Sequence, residues 1–182
     1  MKKLVFLAVF AFFVKGYSQV EKNMFKVNFL VPGIEYEHGV SENSTLSLGV
    51  GTGIVYINDS FNDGVGFYPF AQGKYKYYYN FDRRQNKGKN TAGNTGNYVS
   101  LVGFFQSGEK IFGGLDREYS DTFGVGPVYG LQRTYNSGFN WSFEAGIMYA
   151  SVKDAPTWFG GSYDYGTVFP WVGFTIGWVL GK

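Results

Sequence analysis

One segment of the chain, residues 139–150, alternates large apolar side chains with small or polar ones. At the two-residue period of a β-strand, the bulky side chains share one face: Phe139, Trp141, Phe143, Ala145, Ile147 and Tyr149. The opposite face carries small and polar side chains: Asn140, Ser142, Glu144 and Gly146. A soluble barrel turns its bulky apolar face inward, whereas a membrane barrel turns that face to lipid and keeps small and polar groups in its lumen. The N-terminus and the other strands favour the membrane case.

Residues 1–18 have the organisation of a secretory signal peptide. Two early lysines precede an apolar run of 11 residues, and Gly16, Tyr17 and Ser18 form a small-x-small cleavage site. The apolar run is shorter than the roughly 20 residues that a transmembrane helix needs. We therefore expect residues 19–182 to be a single exported outer-membrane domain; the alternative is that the first segment is retained as an anchor.

The composition departs from that of soluble domains toward strands with aromatic girdles and tight turns. Aromatic residues make up 21% of the chain, charged residues make up 16%, and there are 27 glycines. Removal of the signal segment leaves 13 basic and 14 acidic side chains, so the net charge gives no argument for nucleic-acid binding. Because the sequence has no cysteine, it has neither a disulfide framework nor a lipidated N-terminal cysteine.

Eight segments follow the same two-residue period: 24–31, 33–38, 45–57, 67–79, 97–106, 121–134, 139–150 and 168–180. They predict an all-β fold, an eight-stranded antiparallel up-and-down transmembrane β-barrel. Residues 24–38 contain Pro32 and Gly33 and form either two short strands or one bent strand; the even strand count of bacterial barrels favours two. Glycine falls repeatedly on the lumen face, where it leaves room for a few large or charged side chains.

Several of these strands carry a resemblance to a known group of proteins. The segments concerned are 25–30, the hairpin from 33–37 to 44–51, the tyrosine-rich strand 74–79 and the closing strand 169–180. They resemble the small eight-stranded outer-membrane barrels of Gram-negative bacteria, namely OmpA-type transmembrane domains and related barrel families of uncharacterised function. The resemblance implies contact with outer-membrane lipid and insertion by the barrel-assembly machinery, with Trp178 and Leu180 as its signal. It implies no catalytic residues.

Carried through all strands, the alternation directs six charged side chains into the lumen: Lys26, Glu35, Glu37, Lys74, Lys76 and Glu144. Three acids meet three bases, and charges in so narrow a space need close hydrogen-bonded partners. We therefore predict a neutral, salt-bridged plug; the alternative is a narrow, porin-like path for ions or small solutes. Pairing across the lumen suggests a contact between Glu144 and Lys26.

With both termini in the periplasm, an even strand count assigns three connections to each side of the membrane. The periplasmic connections are 39–44, 80–96 and 135–138, and the outer ones are 58–66, 107–120 and 151–167. Connection 80–96 is long and basic, with Arg83, Arg84, Lys87 and Lys89. It is interpreted either as a solvated, mobile turn or as a docking patch for an acidic periplasmic or peptidoglycan partner.

The last outer connection contains an aromatic patch between glycines: Trp158, Phe159, Tyr163 and Tyr165. Exposed aromatic rings can stack on a glycan or pack on an extracellular protein. The alternative is that these rings belong to the outer aromatic girdle at the level of the lipid headgroups. In the same way, Tyr75, Tyr77 and Tyr79 are expected to build the periplasmic girdle.

The pattern offers little for catalysis. The single histidine, His38, lies beside a turn without a serine and carboxylate at triad spacing, and no ligand cluster has metal-binding spacing. We expect no enzyme activity, no metal and no cofactor. The expected role is structural, adhesive or partner-binding; a narrow pore and, third, a lipid-modifying enzyme are the alternatives.

Overall fold

The structure is a computed structural model that describes residues 19–58, 63–115, 121–151, 155–156, 162–163 and 166–180. The signal segment 1–18 therefore lies outside the described residues. Eight strands form the ring: β1 (Asn23–Asn28), β2 (Gly33–Gly39), β3 (Ser44–Asn58), β4 (Asp63–Tyr77), β5 (Gly96–Gln106), β7 (Thr122–Thr134), β8 (Phe139–Ser151) and β11 (Thr167–Leu180). The smaller elements are helix α1 (Phe81–Gln85) and the two-residue strands β6 (Phe112–Gly113), β9 (Ala155–Pro156) and β10 (Ser162–Tyr163).

These eight strands form a ring in which each strand pairs antiparallel with both of its neighbours, and β6 joins the same sheet as a ninth strand. The ring closes because β1 pairs with β11, with Phe25 opposite Leu180. Strand β6 pairs with β4, and β9 pairs with β10 apart from the main sheet. The connections at 40–43, 78–95 and 135–138 mark what we call the lower end of the ring. In the part of the chain that the structure describes, no helix has the length and apolarity needed to cross a membrane.

Residues 24–38 form two short strands rather than one bent strand. Strands β1 and β2 make an antiparallel hairpin in which Lys26 lies opposite Glu35. Proline at position 32 cannot donate to a ladder, so it ends the pairing and forms part of the turn. Glycine is required at position 33, because a Cβ there would lie 2.5 Å from the carbonyl oxygen of Val50. The even strand count follows from this tight hairpin.

The two faces of the ring have opposite character. The outward side chains are apolar and exposed; Leu48, Val172 and Val168 have exposed fractions of 69%, 67% and 63%. The inward side chains of the lower half are polar and buried, and Glu37 and Lys76 are 0% and 1% exposed. This arrangement is the reverse of that in a soluble domain, where apolar side chains occupy the interior.

The connection between β4 and β5 folds against the lower end of the ring, and we call residues 78–95 the cap. Phe81 of α1 is fully buried and stacks on Tyr78 with 4.7 Å between ring centroids. Val20 and Tyr98 complete this apolar cluster. Phe81 and the buried segment 93–95 therefore tie the cap to the ring.

Candidate functional site

Four of the six predicted lumen charges meet in one cluster near the lower end of the ring. The Lys26 Nζ atom donates to Glu35 Oε1 at 3.0 Å and to Glu37 Oε2 at 2.5 Å. The Lys76 Nζ atom donates to the same two oxygens, each at 3.0 Å. Two ammonium groups thus bridge two carboxylates on adjacent inward positions of β2, which is the close pairing that buried charges require.

Glu37 is the most heavily bonded side chain of this cluster. Besides the two lysines, its Oε1 atom accepts hydrogen bonds at 2.8 Å each from Thr45 Oγ1, Tyr78 OH and Asn94 Nδ2. Burial, and next the Glu37 carboxylate, raise the pKa of the Tyr78 hydroxyl well above its usual range. The hydroxyl therefore stays protonated and donates to Glu37. Through Tyr78 and Asn94, the cap is bonded directly to the lumen charges.

The remaining two charges form a second group, higher in the ring. Lys74 Nζ lies 2.9 and 2.8 Å from the two carboxylate oxygens of Glu144, and Tyr98 OH donates to Glu144 Oε1 at 2.7 Å. The predicted contact of Glu144 with Lys26 is wrong. Lys26 is held by the carboxylates of the adjacent strand β2, so Glu144 binds the lysine on β4 instead.

Several polar residues of the network were not predicted. The Oε1 atom of Gln132 accepts hydrogen bonds from Lys26 Nζ at 3.0 Å and from Lys76 Nζ at 3.4 Å. The Tyr98 hydroxyl donates a hydrogen bond to Glu144. Tyr98 has room because glycine occupies position 130, where a Cβ would lie 2.2 Å from the tyrosine ring. Gln132 and Tyr98 both lie at inward positions of their strands, so the same alternation could have identified them; only charged residues were selected from it.

The six charges fill the lower half of the lumen and leave almost none of their surface accessible. Their exposed fractions lie between 0% for Glu37 and 5% for Glu35 and Lys74. Three lysines balance three glutamates, so the layer carries no net charge. Each ammonium has a carboxylate partner within 3.0 Å. Each buried charge thus has the close hydrogen-bonded partner that it needs.

Above the charges, the inward face of the ring changes to apolar residues. Val102, Val128 and Met148 are buried in one cluster, against which Phe104, Phe169 and Trp171 pack. The rings of Phe104 and Trp171 are stacked at 5.3 Å. Two buried polar atoms near this boundary, Asn28 Oδ1 and Trp171 Nε1, have no hydrogen-bond partner. The lumen therefore changes from a lower layer of paired charges to an upper part that contains this apolar cluster.

The basic residues predicted in connection 80–96 lie on the cap but differ in their exposure to solvent. Arg83, Lys87 and Lys89 are exposed to solvent. Arg84 is half-buried, and its guanidinium donates to the Asn90 carbonyl at 3.1 and 2.8 Å. Partial burial, and next the charge of Arg133, lower the pKa of Arg84. Three of the four positive charges thus form a surface presented by a folded element.

The predicted outer aromatic patch lies mostly outside the described residues. Of Trp158, Phe159, Tyr163 and Tyr165, the structure gives only the backbone of Tyr163, which pairs with Ala155. By contrast, the tyrosines predicted for the lower girdle are described: Tyr75, Tyr77 and Tyr79 have exposed fractions of 47%, 45% and 47%. Tyr79 OH donates to Tyr129 OH at 3.1 Å, which links two exposed tyrosines near the lower end of the ring.

His38 lies on the outer face near the lower end. Its Nδ1 atom is 2.8 Å from Asn23 Oδ1 and 3.5 Å from Tyr36 OH. Among the described residues, no group of three or more histidine, cysteine, aspartate or glutamate side chains could hold a metal ion.

Comparisons with protein-family models, with curated proteins and with solved structures give no match for this chain.

Proposed function

We propose that this chain is a transmembrane β-barrel of the bacterial outer membrane, exported through a cleaved signal peptide and sealed by its lumen charges. Its role is structural or partner-binding: it anchors in the lipid, and it presents its outer connections to an extracellular protein or glycan and its basic cap to the periplasm. The single observation that carries the proposal is the reversal of the faces, with exposed apolar residues outside and buried ion pairs inside.

The outer face supports the lipid-facing part of this proposal. Strand residues such as Leu48, Val50 and Val172 are more than half exposed. In water, this much contiguous apolar surface would drive aggregation, whereas in a bilayer it is the surface that contacts hydrocarbon. The exposed tyrosines near the lower end, with Trp178 at 43%, fit an aromatic girdle at the lipid headgroups.

The lumen supports a sealed barrel over a pore. A conducting path needs charged groups that water and ions can reach. Here the lysine and glutamate side chains of the lower half are bonded to one another and nearly inaccessible. The cap adds a second closure, because Phe81 and Asn94 are buried at the lower end.

The lipid-facing assignment predicts that charge on the outer face blocks insertion. Leu48→Arg combined with Val172→Arg places two cations on that face, each at a cost of up to about 2–4 kcal/mol near the bilayer midplane. Refolded residues 19–182 should float with phospholipid vesicles in a density gradient, and the double variant should not. The matched control is Asn86→Arg in the exposed part of the cap. Flotation of the double variant equal to that of the control contradicts the proposal.

A further inference from the structure

An arginine stands on the outer face of the ring at its lower edge. Arg133 lies between the buried, inward Gln132 and Thr134 of β7, so its side chain is on the outer face. Its Nη1 atom donates to the backbone carbonyls of Gly96 and Gln132, each at 2.7 Å. Its Nη2 atom donates to Asn97 Oδ1 at 2.8 Å. These hydrogen bonds to neutral oxygens fix the guanidinium in place and leave its charge uncompensated.

The cap brings a second arginine to the same edge. Asn90, whose carbonyl accepts from the Arg84 guanidinium, donates through Nδ2 to the carbonyl of Thr134 at 3.4 Å. Thr134 directly follows Arg133 in β7. The charge of Arg133 lowers the pKa of Arg84, which is the effect of a like charge nearby. Two cations held this close repel each other, so a bound anion would stabilise the arrangement.

The described part of the chain offers these two arginines no acid. Neither forms an ion pair with a carboxylate there, whereas each lysine of the lumen does. Asp82, the only acid within residues 78–95, instead accepts from Gln19 Nε2 at 2.8 Å. Arg133 Nε and Arg84 Nη1 donate to none of the described residues. Planar guanidinium groups with free N–H donors match the oxygens of a phosphate.

The neighbours of Arg133 indicate where such a phosphate would come from. Asn97, its hydrogen-bond partner, donates through Nδ2 to Tyr129 OH at 2.9 Å and to Tyr79 OH at 3.5 Å. Both tyrosines are exposed on the outer face, and Trp141 of β8 lies directly opposite Arg133. Tyrosine and tryptophan are enriched at the level of the lipid headgroups. If the ring spans a membrane as proposed, this edge lies at the headgroups of the periplasmic leaflet.

We propose that Arg133 and Arg84 together bind the phosphate of an anionic phospholipid in the periplasmic leaflet. This inference rests on the proposed transmembrane function and gives the basic end of the barrel a partner. The occupant is a lipid because Arg133 belongs to the outer wall and is bonded, through Asn97, to the exposed tyrosines of that wall. A soluble polyanion would need only the exposed charges of the cap.

A variant with Trp141 as its single tryptophan tests this proposal, the other tryptophans being changed to phenylalanine. Bromine quenches indole fluorescence only at close approach. The protein is refolded in phosphatidylcholine vesicles that contain a small fraction of phosphatidylglycerol brominated on the acyl carbons near the glycerol. The comparison is the same fraction of brominated phosphatidylcholine. We expect stronger quenching by the anionic lipid, with a preference of about fivefold for each arginine.

Charge variants locate the site. Arg133→Gln and Arg84→Gln should each lower the preference for phosphatidylglycerol about fivefold. Arg133→Lys keeps the charge and should keep most of the preference. Arg83→Gln, at the exposed neighbouring position of α1, is the matched control and should leave the preference nearly unchanged. Arg84→Gln decides the test if Arg133→Gln does not fold.

The outcomes distinguish the two proposals. In vesicles made only of brominated phosphatidylcholine, Trp141 of folded protein must be quenched, or the transmembrane function itself fails. If Trp141 is quenched there but phosphatidylglycerol has no advantage, or if Arg83→Gln lowers the preference as much as the other two variants, the phosphate site is wrong and the barrel stands. If, in addition, soluble peptidoglycan fragments change the Trp141 fluorescence only when Arg133 is present, the partner is that polymer instead.

Discussion

At the residue scale, the network depends on paired charges that cannot be removed one at a time. Glu144 is 3% exposed and holds the Lys74 ammonium with both carboxylate oxygens. A buried ion pair contributes little net stability over a well-packed apolar pair, but the loss of one partner leaves a charge without compensation. Single and paired substitutions should therefore have very different effects on stability.

Glu144→Gln tests this asymmetry. It leaves the Lys74 ammonium buried beside a neutral amide, and we expect the free energy of unfolding to fall by about 3–5 kcal/mol. Urea unfolding of the refolded protein in vesicles, followed by tryptophan fluorescence, measures the change. Glu109→Gln, on an exposed connection, is the control and should leave the unfolding midpoint unchanged.

A double variant tests whether removing both charges of the pair costs less stability than removing one. Glu144→Gln combined with Lys74→Met removes both charges and should recover most of the lost stability. A single variant as stable as Glu109→Gln, or a double variant no better than the single one, contradicts the view that Lys74 is compensated by Glu144.

At the element scale, the strands could be predicted from the sequence and the cap could not. Alternation locates a strand such as β8 because its outward residues are large and apolar and its inward residues are small or polar. The prediction of 139–150 agrees with the observed Phe139–Ser151. The cap sequence has no regular alternation of apolar and polar residues. Its position depends on tertiary contacts of Phe81 and Asn94 with residues far away in the sequence.

The cap yields its own prediction, through Asn94. This residue has a left-handed backbone with φ of 56°, and its side chain bonds Glu37 and the backbone N–H of Glu21. Asn94→Gly tolerates that backbone and removes only the side-chain bonds. We expect faster trypsin cleavage after the exposed Arg83 and Lys87, because a cap that unfolds locally more often is more accessible to the protease.

The control for this experiment is Asn86→Gly, an exposed cap residue next to α1. It should be cleaved at the rate of the unchanged protein. Equal cleavage of Asn94→Gly and the unchanged protein would mean that Asn94 does not hold the cap in place.

The candidate site was only partly predictable for a related reason. The inward positions of Lys74 and Glu144 follow from strand parity, but their pairing depends on how far each strand is displaced against the next around the ring. That displacement is set by turns and packing, not by alternation. The sequence therefore predicted which charged residues enter the lumen and assigned Glu144 the wrong partner.

At the scale of the whole molecule, one ring presents three different environments. The outer face is apolar, the lower lumen is a neutral layer of ion pairs such as Lys74 with Glu144, and the inward face above that layer carries the apolar cluster around Val102. A membrane barrel explains the outer face, and a sealed lumen explains why three buried lysines and three buried glutamates are balanced. Under the proposed function, the chain is therefore an anchored, non-conducting membrane protein.

Single-channel conductance of refolded residues 19–182 in planar bilayers tests this central claim most directly, with the unchanged protein compared with Glu144→Gln. We predict that the unchanged protein is silent, once flotation with vesicles has shown that it is inserted. Because the six charged side chains are paired and buried in the proposed plug, no steady openings are expected. Steady openings whose size changes with Glu144→Gln would contradict the sealed lumen and make the charge layer a conduction path.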